Sequence, residues 1–165
     1  VVAGLEELNF GKITITGRNP DSLNDFLKNF NDNSQTIERQ RSKPSIEGLL
    51  HQDSDLSLRI QKADLIINAT PIGMSISSDV LSKGNEIPLG QKIWAHISAE
   101  TTLYDLIYTP NPSPWLAWGI ERKMHCINGL EMLVQQGAAS LRLWNGTNDV
   151  PIKTMREVAK KALSN

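Results

Sequence analysis

The sequence predicts an α/β protein built on a doubly wound parallel sheet, and three observations carry that expectation. Short β-branched or apolar runs (Lys12 to Thr16, Ala63 to Thr70, Thr101 to Tyr108) alternate with stretches whose apolar residues recur every three or four positions. The helical stretches can cover both faces of a sheet of parallel strands. The strands also end in small and polar residues: Gly17-Arg18-Asn19 after the first, Asn68-Ala69-Thr70-Pro71 at the second. In open α/β sheets ligands bind at the carboxyl ends of the strands.

Val1, Val2, Leu5 and Leu8 mark one face of an opening helix that ends near Asn9 to Gly11. After the strand KITIT, Pro20 opens a second helix with Leu23, Phe26, Leu27 and Phe30 on one face. Residues 31–45 are polar and carry no strong signal. Ile46, Leu49 and Leu50 fit a short strand or a helix equally. ADLIINAT is the next strand, followed by a long polar loop to Gly90, and TTLYDLIY is another. Ser113 and Pro114 are the N-cap and first residue of a helix containing Trp115, Leu116 and Ile120. MHCIN is a last short strand. A long helix follows with Leu130, Leu133, Val134, Gly137, Ala138 and Leu141 in period, then a final helix with Ile152, Met155, Val158, Ala159 and Leu163.

The 165 residues suffice for a single domain spanning 1–165, without repeats or a dividing linker. A net charge of -1 gives no basic stripe for nucleic acid, so an anion must be caught locally. The single Cys126 fits a reducing compartment, and no apolar run approaches the roughly 20 residues that cross a bilayer. A cytoplasmic protein is expected. The opening VVAGLEEL has helical periodicity from its first residue and no Met, as if cut from a longer chain. Histidines 51, 96 and 125 lack metal-ligand spacing, and neither a G-x-S-x-G elbow nor a P-loop occurs.

At the strand ends each residue has two readings. Arg18 suits the extra 2′-phosphate of NADP, since a guanidinium offers several donors in a planar fork; it equally suits a solvated surface. Asn68, Thr70 and Gly73 could meet a ribose or a nicotinamide amide, or simply form a turn. Asp105 could be an acid or base, or a structural carboxylate accepting backbone donors. Strand alternation sets Tyr104, Leu106 and Tyr108 on one face. Gly129, Met132, Gln136 and Ser140 form a stripe along the long helix's flank, fit for a ligand or for another polar element.

ADLIINATPIGM, LYDLIYTPNPSPWL and INGLEMLVQQGA, taken in that order and spacing, resemble the C-terminal, cofactor-binding domain of shikimate dehydrogenase. The resemblance covers most of the chain. It implies a Rossmann-type fold, truncated here at its first strand, and the reversible oxidation of shikimate to 3-dehydroshikimate with NADP, toward chorismate and aromatic amino acids. It further implies that Gly17, Arg18, Asn19 and Ser22 form the adenosine-phosphate loop. Gly17 and Asn19 depart from the family's usual Asn and Thr, and Ser22 stands where a basic residue is common, which thins the margin for NADP over NAD. Asn68, Thr70, Met74, Leu106, Gly129 and Met132 would line the cofactor, and Tyr108 and Gln136 the substrate.

The resemblance also implies parts that these residues do not show. The glycine-rich phosphate loop would precede Val1. The substrate domain would carry the lysine and aspartate that handle the hydroxyl proton, so no catalytic residue is expected on this chain and none of its own turnover. The expected partner is a small molecule, with neither nucleic acid nor membrane; monomer and homodimer stay open. A quinate/shikimate dehydrogenase and a non-catalytic nucleotide-binding module are the alternative readings. A methyltransferase is a weaker match, because Ile72 stands where its Asn-Pro-Pro clamp needs an aromatic.

Overall fold

The computed structural model describes residues 1–8, 10–34, 44–74 and 87–163. They fall into two compact units, Val1–Lys62 and Ala63–Asn165.

In the first unit a short helix α1 (Val2–Glu7) leads into β1 (Lys12–Gly17), helix α2 (Pro20–Ser34), β2 (Ser45–Leu50) and helix α3 (Asp55–Gln61). β1 and β2 pair in parallel from Lys12↔Ser45 to Gly17↔Leu50, so the open choice at Ile46 to Leu50 resolves as a strand. Helix α2 crosses between them because Leu23 and Leu27 recur at helical spacing and need apolar cover. Gly48 lets that helix close in: a Cβ there would stand 2.6 Å from Leu27 Cδ1. Ile13, Leu23, Leu56 and Ile60 form the core of this unit. Helix α3 was not among the expected elements; its two buried residues, Leu56 and Ile60, are one turn apart.

One carboxylate ties the unit's outer face together. Glu47 on β2 accepts from Arg59 Nε at 2.6 Å and Thr14 Oγ1 at 2.8 Å, and pairs with Lys12 Nζ at 3.0 Å. The Arg59 bond, foremost among these, holds its carboxyl at about 2.

The second unit holds β3 (Leu65–Asn68), β4 (Thr102–Asp105), helix α4 (Pro114–Glu121), β5 (Cys126–Ile127), helix α5 (Leu130–Asn145) and helix α6 (Ile152–Leu163). Its sheet runs β3-β4-β5, all parallel, with Leu103 of the central strand fully buried. Among the described residues the five strands thus make two parallel sheets, one in each unit. Ser113 caps α4 as expected, its side chain accepting from Leu116 N, with Pro114 at the first position. The ladder of β4 ends at Asp105, short of the expected Tyr108: its last bond runs from Leu106 N to Asn68 O at 3.1 Å, and the next N–H, of Ile107, donates to the Asp105 side chain instead. Burial still alternates beyond it, with Leu103, Asp105 and Ile107 inside and Tyr104, Leu106 and Tyr108 half-exposed. Of the three apolar residues read into α4, Trp115 and Leu116 are buried and Ile120 is 54% exposed.

A 3₁₀ turn at Gln91–His96, also absent from the sequence reading, inserts Trp94 into the core. Its indole donates to Pro88 O at 2.6 Å and packs on Trp115 at 5.4 Å and Trp118 at 6.3 Å between ring centroids. Arg122 lies 4.2 Å over the Trp118 ring. Helices α5 and α6 are joined by Arg156, whose fork binds both oxygens of Glu131 at 2.6 and 2.7 Å. Most of the expected loop after Met74 lies outside the described residues.

Candidate functional site

In the first unit the candidates stand where β1 runs out. Gly17 is its last residue, and no atom lies within 4 Å of where a Cβ would be. Arg18 follows, exposed and without an ion pair among the described residues. Asn19 Oδ1 accepts from Ser22 N at 3.0 Å and so closes the first turn of α2. An unpaired guanidinium beside an open glycine backbone fits a phosphate by charge and by access. Next to this tip is a residue the sequence reading did not select: His51, one position beyond β2, whose N–H donates to Gly17 O at 3.1 Å. Partial burial, and then the charge of Arg18, hold its imidazole below the ordinary value.

In the second unit the end of β3 is bound to the end of β4 through buried polar groups. Asn68, 3% exposed, donates from Nδ2 to Asp105 Oδ1 at 3.0 Å and to Ile72 O at 3.2 Å. Its Oδ1 accepts from Thr70 N at 3.1 Å and Thr70 Oγ1 at 2.7 Å. Every donor and acceptor of the amide is engaged, so Asn68 shapes the loop around it. The loop then turns through Pro71 to Met74, where Met74 N donates to Pro71 O at 3.1 Å and Gly73 takes a φ of 96°. That left-handed third position is where a glycine is needed. Thr70 is exposed and Met74 half-buried.

Asp105 is completely buried and accepts from Asn68, from Ile107 N at 3.1 Å and from Ser113 Oγ at 2.6 Å. Of the readings open in the sequence, these contacts match the structural carboxylate. Side chains as well as backbone supply the donors. Burial pushes its carboxyl above the ordinary value, while Ser113, Ile107 and Asn68 pull it down.

Beyond β5 the start of α5 is pressed onto this same corner. Gly129 N donates to Ile107 O at 3.1 Å, and Asn128 Nδ2 donates to Asn111 Oδ1 at 3.0 Å. A Cβ on Gly129 would sit 1.9 Å from Leu106 O, so only a glycine fits against that carbonyl. Leu106 and Met132 are half-exposed. Tyr108 is half-exposed on the turn after β4, and Gln136 is exposed on α5, seven residues and about 10 Å of helix beyond Gly129. Asn68, Thr70, Met74, Leu106, Tyr108 and Gly129 thus stand at or just beyond the carboxyl ends of the three strands of the second sheet. Gly17, Arg18, Asn19 and Ser22 form a separate group in the first unit. Among the described residues, no group of three or more His, Cys, Asp or Glu could hold a metal, and no helix is long and apolar enough to cross a membrane.

Parallel strands joined by helices, with the polar residues at their carboxyl ends, define a Rossmann-type α/β protein. Solved structures bear out that class. The chain superposes on shikimate 5-dehydrogenase from Thermus thermophilus, in complex with NADP(H) and shikimate, with a TM-score of 0.70 at 23% identity, covering 99% of this chain and 50% of that one. On the chorismate mutase/shikimate 5-dehydrogenase fusion protein of Clostridium acetobutylicum the TM-score is 0.64 at 27% identity, over 99% of this chain and 49% of that one. In sequence, the chain is 39% identical over 163 residues to NADP-dependent shikimate dehydrogenase of Prochlorococcus marinus and 36% identical to that of Trichormus variabilis. Residues 129–160 match the Shikimate 5′-dehydrogenase C-terminal domain. Over nearly all its length the chain is similar to part of these shikimate dehydrogenases. The matches take in 99% of this chain, which spans about half the length of these curated relatives, 52% and 51% respectively.

Proposed function

We propose that the chain is the cofactor-binding part of an NADP-dependent shikimate dehydrogenase. The observation that carries this reading is positional. Apart from Ser22 and Met132, which lie in the first turns of α2 and α5, the assigned cofactor residues stand at or just beyond the carboxyl end of a parallel strand, where this fold takes its ligands. Identity of 39% across the same residues supports the particular dinucleotide and substrate.

In this reading Arg18 holds the 2′-phosphate, and Gly17, Asn19 and Ser22 shape the backbone around it. The loop from Asn68 to Met74 borders the nicotinamide, with Asn68 as its anchor and Thr70 and Met74 as its surface. Leu106 and Gly129 present a wall of fixed backbone, with Met132 a turn further on. Tyr108 and Gln136 offer a phenol and an amide to the hydroxyls of a polyol. NADP, when bound, supplies the acceptor for the hydride that leaves the shikimate carbon. The chain's part is to position the ring and the sugar acid against each other, since hydride transfer depends on alignment. No residue here is assigned the proton of the oxidised hydroxyl.

Titration of the protein with NADPH and NADH, followed by cofactor fluorescence, tests the reading. NADPH should bind more tightly, and Arg18→Ala should remove that preference. A lost charge-assisted bond of about 1.5–3 kcal/mol corresponds to roughly 10- to 150-fold in affinity. Equal affinities in the unaltered protein would defeat it.

A further inference from the structure

We propose that His51, at the tip of β2, is a second cationic contact for the 2′-phosphate assigned above to Arg18, so that preference for the phosphorylated cofactor is shared by two strand tips and strengthens on acidification. The inference rests on the reading of Arg18 as the phosphate residue.

The geometry follows from the register. β1 and β2 are parallel and end together at Gly17↔Leu50, so Arg18 and His51 are the next residues on adjacent strands. Neighbouring strands lie about 4.8 Å apart. The bond from His51 N to Gly17 O, 3.1 Å long, is the last of that ladder and keeps the two tips together. A phosphate that accepts from Arg18 therefore lies within side-chain reach of the imidazole. His51 is half-buried, so its contact with such a ligand is partly shielded from solvent.

The charged groups within a few residues of the two tips are Arg18 after β1, Asp21 in the first turn of α2, Asp53 in the turn after β2 and Asp55 in the first turn of α3, with Asp25 and Lys28 further along α2 and Arg59 along α3. Glu47 lies on β2 itself and is committed to Arg59 and Lys12. Asp53 folds back on the chain, with Oδ2 accepting from Leu50 N at 2.6 Å. Arg18 is the charge that acts on His51, and it opposes protonation. A bound phosphate dianion reverses that balance by neutralising Arg18 and favouring the imidazolium. Binding then takes up a proton, so affinity rises as pH falls. The phosphate's own protonation near pH 6 works the other way, and that term remains when His51 is replaced.

The test compares 2′,5′-ADP with 5′-AMP on the full chain, reading affinity from pH 5.5 to 8 and the histidine ring protons by NMR. His51→Gln identifies the resonance. The expected result is that saturating 2′,5′-ADP raises the His51 midpoint by about one pH unit while 5′-AMP leaves it in place. His51→Gln should lower the preference for the 2′-phosphate about 3- to 8-fold near pH 6 and by less than 2-fold at pH 8, ratios that follow from a linkage of that size. If the unaltered protein prefers 2′,5′-ADP and loses the preference with Arg18→Ala, but the His51 resonance does not respond, the inference is overturned and the reading of Arg18 stands. If the unaltered protein does not distinguish the two nucleotides, both fall.

Discussion

Two residues of the second unit are set by contacts remote in sequence. Gly129 has an ordinary φ of -76°, so the demand for glycine there is one of space. Gly129→Ala must move either Leu106 or the start of α5, and overpacking of this kind costs about 1–3 kcal/mol. Urea unfolding of the variant should show that loss. If the chain binds the dinucleotide as proposed, the variant should also bind NADPH more weakly. Asp105→Ala strands the donors of Asn68, Ile107 and Ser113 in a dry site, with an expected cost of about 3 kcal/mol or more. Asp105→Asn keeps one acceptor and should lose about half as much by the same measurement. Residue types alone could offer Asp105 and Asn68 only as candidates. Their partnership spans 37 positions, and no local pattern encodes that.

Elements were legible where a period ran long enough. Helices α2, α5 and α6 and the body of β3 are plain in the spacing of their apolar residues. The segment that became β2 stayed ambiguous because Gly48 interrupts it. Helix α3 was missed because seven residues with one buried pair make no period. At this scale the chain's best-defined pH dependence arises in the first unit. Glu47 links β1, β2 and α3, and its folded-state value, about 2, lies below the ordinary 4.5. A depressed carboxylate contributes stability that is present above 4.5 and is lost as pH falls toward 2. The unaltered protein should therefore exceed Glu47→Gln in urea midpoint at neutral pH. The gap should close across that acid window, and a gap that persisted at pH 2 would refute the linkage. Arg156→Ala, by contrast, removes an exposed pair between α5 and α6 and should leave the urea midpoint nearly unchanged despite its two-pronged geometry.

For the molecule as a whole, the parallel α/β character and the placement of ligand residues at strand ends were readable from the sequence. The division into two units, each with its own parallel sheet, was not, because strand pairing between distant segments leaves no mark on the residues. Among the described residues each sheet ends in edge strands, and unpaired edges favour association. Charge repulsion is weakest at the isoelectric point, near 6.3. Light scattering from concentrated protein should therefore peak around that pH and fall on either side; a flat profile would show that the edges are already covered.

The indoles are distributed unevenly. All four tryptophans, at positions 94, 115, 118 and 144, belong to Ala63–Asn165, and the first unit has none. Emission excited selectively through tryptophan is thus blind to the segment bearing Arg18 and His51. Circular dichroism records the helices of both segments. Overlaying the two melting curves would separate the optical signal of one half from that of the other without a label being introduced.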